Sequence, residues 1–149
     1  MNCVLGFDVG SRLTGVAIGN RLTATARALD VVAMRDGQPD WNRLDALQRE
    51  WQPDTVVVGL PLTLEGSEQP ASRRARAFAS QLGQRYGLPV LLVDERHSSR
   101  EAAQRFAAGR AAGLRRRRDA AGIDAEAAAV ILERWLADAA AVPLDDTTR

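Results

Sequence analysis

Three acidic positions, far apart along the chain, have the residue types and settings to do chemistry together. Asp8 lies in "LGFDVGSRLTGVAIG", where apolar residues on either side read as a buried β-hairpin. An ionised carboxylate that loses water there is costly unless it shifts its pKa or gains a cation. Asp94 and Glu95 end the apolar run "LPVLLVDE", and Asp124 lies at the start of "IDAEAAAVILERWLADAA", with Glu126 two positions further on. Two carboxylates held 4 Å apart repel by ~4 kcal/mol at an effective dielectric near 20. A divalent cation relieves that cost. Mg²⁺ (or Mn²⁺) takes oxygen ligands and keeps several waters, which suits carboxylates with no cysteine or histidine cluster near them. With two such ions, one activates a water and the other stabilises the leaving oxygen of a phosphodiester, which is nuclease chemistry. Arginines stand where a phosphate backbone could be led to the acids: Arg12 in the turn after Asp8, Arg73 and Arg74 (with Arg76) opening a helix, and Arg110, Arg115, Arg116, Arg117 and Arg118 just before Asp124.

The elements that must position these residues follow from the apolar pattern. Segments 3–9, 14–19 and 23–34 read as three strands joined by the short turns "GSRL" and "NRLT", which forces an antiparallel meander. "RDGQPD" reads as a loop. Trp41, Leu44, Leu47 and Trp51 fall at helical spacing, with Asp40 as N-cap. "TVVVGLP" is a β-branched run covered on both faces, a central parallel strand. "LTLEGSEQPAS" has no periodicity and predicts a loop before a helix over 71–86 that Gly87 stops. Segment 88–95 is a second buried strand. Ser98 and Glu101 have capping-box spacing and open a helix to about residue 108. The last helix starts at Asp124.

This order predicts an α/β fold: a five-stranded mixed sheet with helices on both faces. The first three strands form the meander, the fourth and fifth run parallel to the first, and the first is central. Asp8 and an acid of the fifth strand then emerge at one sheet edge, where open α/β sheets bind ligands, and a helix N-terminus can join them. Residues 1–140 form one domain and 141–149 a fraying tail.

Composition narrows the classes. At 149 residues the chain can bury roughly 68–70% of its unfolded surface in one core. Cys3 is the single cysteine, so a disulfide framework and Cys/His zinc spacing are both excluded. The opening "MNCVLGFDVG" has no basic leader and no apolar run approaches the ~20 residues of a membrane helix, which predicts a soluble cytoplasmic protein. Net charge is only +1, yet all 20 basic residues are arginine and four are consecutive, so local charge matters more than the total.

Each of these residues also admits a purely structural role. Asp8 can form a turn with Gly10, Asp124 can cap its helix, Glu126 can favour the helix dipole, and the arginine run can be a solvated loop. Asp94 and Glu95 point to opposite faces of a strand, and period alone does not say which joins Asp8. His97 is a lone histidine among "ERHSS" and reads as a surface residue.

Three motifs together resemble the YqgF (RuvX) family of pre-16S rRNA nucleases and Holliday-junction-resolvase-like proteins. They are "GFDVGSRLTGVAIG", "VVVGLPLTLEGSEQPAS", and "VDERHSSREA" with "GIDAEAAAVIL". The resemblance runs from Leu5 to about Leu136 and implies a ribonuclease H-like fold. It implies catalytic and metal-binding roles for Asp8, Glu95 and Asp124, choosing Glu95 over Asp94. It also implies a Mg²⁺-dependent nuclease that matures the 5′ end of pre-16S rRNA, with four-way DNA as the alternative substrate. The expected state is a monomer or weak homodimer, since symmetric cutting of a junction would need two active sites. Thr63 and Glu65 depart from the family's usual Asn and Asp, His97 replaces an aliphatic residue, and Ser99 keeps the hydroxyl of a usual Thr for a nucleic-acid contact.

Two further classes compete. A kinase-like nucleotide binder also opens with an aspartate-glycine hairpin, but needs a second domain for which 149 residues leave no room. A non-catalytic RNA-binding factor would keep salt-sensitive RNA binding in Asp8→Asn and show no metal-dependent cleavage.

Overall fold

The computed structural model describes residues 2–95, 122–137 and 142–143. Strands β1 (Cys3–Asp8), β2 (Leu13–Asn20) and β3 (Thr25–Arg35) form the meander, and β4 (Gln38–Pro39) adds a short edge. Helix α1 (Trp41–Trp51) leads to β5 (Thr55–Leu60), α2 (Pro70–Tyr86) to β6 (Val90–Asp94), and α3 (Gly122–Ala137) to β7 (Val142–Pro143). The sheet order is β4-β3-β2-β1-β5-β6-β7. As predicted, β1 is interior, antiparallel to β2 and parallel to β5, and β5 is parallel to β6.

The five long strands are those predicted, but the sheet has two more. "RDGQPD" is not simply a loop: Asp36 and Gly37 both take positive φ (52° and 78°), the backbone of a tight hairpin that folds β4 back on β3. Residues 142–143, expected to fray, pair with the outer edge of β6 and satisfy backbone groups that would otherwise face solvent.

Alternation along the strands divides the core into two unequal faces. Leu5, Phe7, Val16, Ile18, Val56, Val58 and Val90 point toward α1 and α2, which contribute Leu44, Leu47, Ala75, Phe78 and Leu82. Phe7 and Phe78 meet edge to face at 5.2 Å. The opposite face is lined by small residues. Val4, Ala17, Val57 and Leu91 pack against Ala128, Ala129, Ile131 and Leu132 of α3. Gly6 and Gly19 let α3 come closer still: a Cβ on Gly6 would lie 3.1 Å from Leu132 Cβ, and one on Gly19 2.8 Å from Leu132 Cδ2. The helix that carries Asp124 is thus pressed onto the strand that carries Asp8.

Helix ends follow local chemistry. Asp40 caps α1, its side chain accepting from Arg43 N at 3.3 Å. Gln69 opens α2, Pro70 takes the first helical position, and Gly87 in the left-handed region (φ 65°) ends it. Ser72, fully buried, donates to Pro61 O and accepts from Gln69 N at 2.9 Å, tying the segment after β5 to the start of α2. No helix among the described residues is long and apolar enough to cross a membrane.

Candidate active site

Asp8 has the same strand parity as Val4 and Gly6, so its side chain faces α3. Its direct partner on β2 is Gly15, and Gly59 on β5 follows the Phe7–Val58 pair by one step. The carboxylate therefore stands in a row of the sheet with a glycine on each side. What fills those two spaces defines the site.

Over Gly59 lies Glu95, 7% exposed, with its Cδ only 2.9 Å from where a Cβ would be. Glu95 continues the Leu91–Val93 alternation toward α3, while Asp94 is exposed on the other side. The register thus answers what period alone left open. Glu95 and Asp8 share a side-chain hydrogen bond, and the Glu95 backbone N donates to Leu60 O at 3.2 Å. Two carboxyl groups can share such a contact only with a proton or a cation between them.

Over Gly15 lies the first turn of α3, with the Asp124 carbonyl oxygen 1.8 Å from where a Cβ would be. The helix begins at Gly122, two residues before the predicted start, so Asp124 sits inside the first turn and is not the N-cap. Its carboxylate is half-buried at the positive end of the α3 dipole. The α3 charge that bears on Asp8 is that of Asp124.

The electrostatics record this crowding. Burial first, and then the Asp124 charge, push the Asp8 carboxyl up from 3.8 to about 6, against the lowering effect of the Glu95 hydrogen bond. Burial also raises Asp124. The three acids come to one edge but are not drawn into a ready-made ligand set: no three His, Cys, Asp or Glu among the described residues are arranged to hold a metal ion. Asp8 and Glu95 are in contact, and Asp124 acts on Asp8 through its charge.

Of the predicted nucleic-acid contacts, exposed Arg12 lies in the β1–β2 turn beside Asp8. Arg73, exposed, and Arg74, half-buried, lie in the first turns of α2, which starts at the same sheet edge. Arg76 is committed to Glu68 through two hydrogen bonds of 3.1 and 2.9 Å. Ser99, Arg110, Arg115, Arg116, Arg117 and Arg118 lie outside the described residues, as do His97 and the helix predicted from Ser98. Gly15 and Gly59 were not among the predicted site residues. The one signal for Gly59 is its interruption of the β-branched run "TVVVGLP".

A family model described as "RuvX: Holliday junction resolvase" matches residues 2–138. The chain belongs to the RuvX family. A relative from Xanthomonas oryzae pv. oryzae (strain PXO99A) is 62% identical over 134 residues, covering 90% of this chain and 86% of that protein. Another from Xylella fastidiosa (strain 9a5c) is 62% identical over 135 residues, covering 91% and 87%. Both carry the name "Putative pre-16S rRNA nuclease". Among solved structures, Thermus thermophilus RuvC in complex with a Holliday junction substrate matches with a TM-score of 0.55 at 21% identity, covering 97% of this chain and all (100%) of that one. A second Thermus thermophilus RuvC structure gives 0.54 at 20%, covering 95% and 99%. These likenesses establish the ribonuclease H-like fold of this RuvX family member, and the interior position of β1 agrees with it.

Proposed function

We propose that this RuvX family member is a divalent-cation-dependent endonuclease that hydrolyses phosphodiester bonds in structured RNA, maturing the 5′ end of pre-16S rRNA in the cytoplasm. The observation that carries this reading is the placement of Asp8 between Glu95 and the α3 turn bearing Asp124, at the sheet edge shared by Arg12, Arg73 and Arg74. The names of the 62%-identical relatives support the RNA substrate.

The donor set fits Mg²⁺ or Mn²⁺. It consists of hard carboxylate oxygens from three acids; two are in contact, and the carboxyl of one of those, Asp8, is pushed up to about 6 by burial and by the Asp124 charge, a cost that a bound dication would offset. Asp8 and Glu95 would hold the ion, with Asp124 completing the set. When bound, the ion supplies an activated water and stabilises the leaving oxygen. The chain's own residues do the rest. Arg12, Arg73 and Arg74 grip the phosphate backbone, and the buried flanks of Asp8 and Glu95 keep bulk water from competing with their charges.

The test is cleavage of a precursor rRNA 5′ segment with and without Mg²⁺ by wild type and Asp8→Asn. Metal-dependent cutting lost in the variant is expected, and equal activity of the two proteins refutes the reading. The family description favours four-way DNA as a second substrate. Junction DNA cut in preference to both duplex and rRNA would establish it, and the mass of the active species in solution would separate a monomer from a homodimer.

A further inference from the structure

We propose that Gly15 and Gly59 are positioning residues of this site, whose missing side chains let Asp124 and Glu95 stand on either side of Asp8. The inference rests on the metal-dependent reading above.

The two glycines act on different kinds of neighbour. A Cβ on Gly15 would lie 1.8 Å from the Asp124 carbonyl oxygen, 2.2 Å from its carbonyl carbon and 2.7 Å from Ala125 N. All three are backbone atoms, which no rotamer change can clear, so any side chain at 15 lifts the first turn of α3 and Asp124 with it. A Cβ on Gly59 would lie 2.5 Å from Ile131 Cδ1, 2.9 Å from Glu95 Cδ and 3.1 Å from Glu95 Oε2. These are the ends of flexible side chains, so the fold can absorb an alanine at 59, but only by moving the Glu95 carboxylate. Gly59 also interrupts Val56, Val57, Val58 and Leu60, where a β-branched residue would strengthen the strand. Neither glycine has a positive φ, so conformation does not require them; space does. Gly6 and Gly19, by contrast, meet α3 chiefly through Leu132 and Leu136, and no acid of the site is among their near neighbours.

That contrast supplies the control. Mn²⁺ affinity is measured by calorimetry, alongside melting in chelator and binding of a structured RNA, for wild type, Gly59→Ala, Gly59→Ala/Ile131→Val and Gly19→Ala. Gly59→Ala is expected to weaken Mn²⁺ binding by about 10–100-fold with RNA affinity retained, since second-layer changes at metal sites act on that scale. Relieving the Ile131 clash in the double variant leaves the metal defect in place. Gly19→Ala lowers the melting temperature through α3 packing and leaves Mn²⁺ affinity at the wild-type level. In the Gly59→Ala background, Glu95→Asp, one methylene shorter, recovers part of the lost affinity, although Glu95→Asp alone lowers it. Gly59→Ala binding Mn²⁺ as tightly as wild type overturns the proposal, as does an equal loss in Gly19→Ala. A wild-type protein that binds no Mn²⁺ refutes the metal-dependent reading itself, and this inference with it.

Discussion

Replacing Asp8 by Asn should make the metal-free protein more stable, not less, although the residue is central to the site. The folded state holds the Asp8 carboxyl near pH 6 where an unfolded chain has 3.8, chiefly because the group is buried. Between these values the folded state binds the additional proton, so wild-type stability falls as pH rises from about 4 through 6 and stays reduced above that. One pKa unit is worth ~1.36 kcal/mol, so the cost of ionised Asp8 at pH 7.5 is up to about 3 kcal/mol. Asn removes that charge, fits the same space, and can still donate to Glu95 from its amide. In chelator at pH 7.5, Asp8→Asn should melt roughly 6–12 °C above wild type at the upper limit, taking ~2–4 °C per kcal/mol for a chain of this size. Near pH 4 the two melting temperatures should converge. Added Mg²⁺ should then narrow the gap at pH 7.5 from the wild-type side only, by about 2.7 kcal/mol at 100 times its dissociation constant. Differential scanning fluorimetry over a pH series, with chelator and with Mg²⁺, reads all of this. An Asp8→Asn variant no more stable than wild type in chelator at pH 7.5, or a gain of the same size at pH 4, would refute the electrostatic account of the site.

Three other outcomes are expected. Arg73→Ala and Arg74→Ala should each lower the slope of log affinity against log salt for structured RNA by about 0.7–0.9, with the single-turnover cleavage rate at saturating protein nearly unchanged; titrations at several salt concentrations check this. Ser72→Ala strips the buried hydroxyl that joins Pro61 O to Gln69 N and should cost about 1–3 kcal/mol in urea unfolding, because a partly buried acceptor and a partly buried donor lose their partner together. Proteolysis between residues 61 and 69 should become faster in that variant. Phe78→Ala, which removes the ring packed on Phe7, should cost about 3–5 kcal/mol by the same assay and leave Mn²⁺ affinity intact, because Phe78 lies on the sheet face away from the acids.

Elements whose signal is local were legible in the sequence. The apolar runs of β1, β5 and β6, the helical spacing of Leu44 and Leu47, and the caps at Asp40 and Gly87 are all found where the pattern places them. The central position of β1 followed from short connections and parallel crossovers, which leave few topologies open. Ends were harder to read. Pro70 looked like a loop residue, yet its fixed φ and missing N–H suit the first position of α2. Asp36-Gly37 is a strong hairpin signal that the surrounding polar residues obscured. Asp8 stood out because a charge inside an apolar strand is conspicuous, whereas Gly15 and Gly59 did not. A glycine's role here depends on which backbone or carboxylate arrives opposite it, and those neighbours lie 109 and 36 positions away along the chain (Asp124 and Glu95). Glu95 over Asp94 depended in the same way on the register of β6 against β5, which fixes the face that each residue meets.

The docking of α3 across β1 and β2 has a consequence for synthesis. Domains fold as their segments emerge, N-terminal parts first. A chain that has emerged only to residue 121 could pair β1 with β5 and β5 with β6 and bring Asp8 to Glu95, but it would have nothing to lay over Gly15 and no third acid. On the proposed function, a centre built this way is complete only once α3 has closed on the sheet, so its assembly follows the folding of the whole β1–α3 unit.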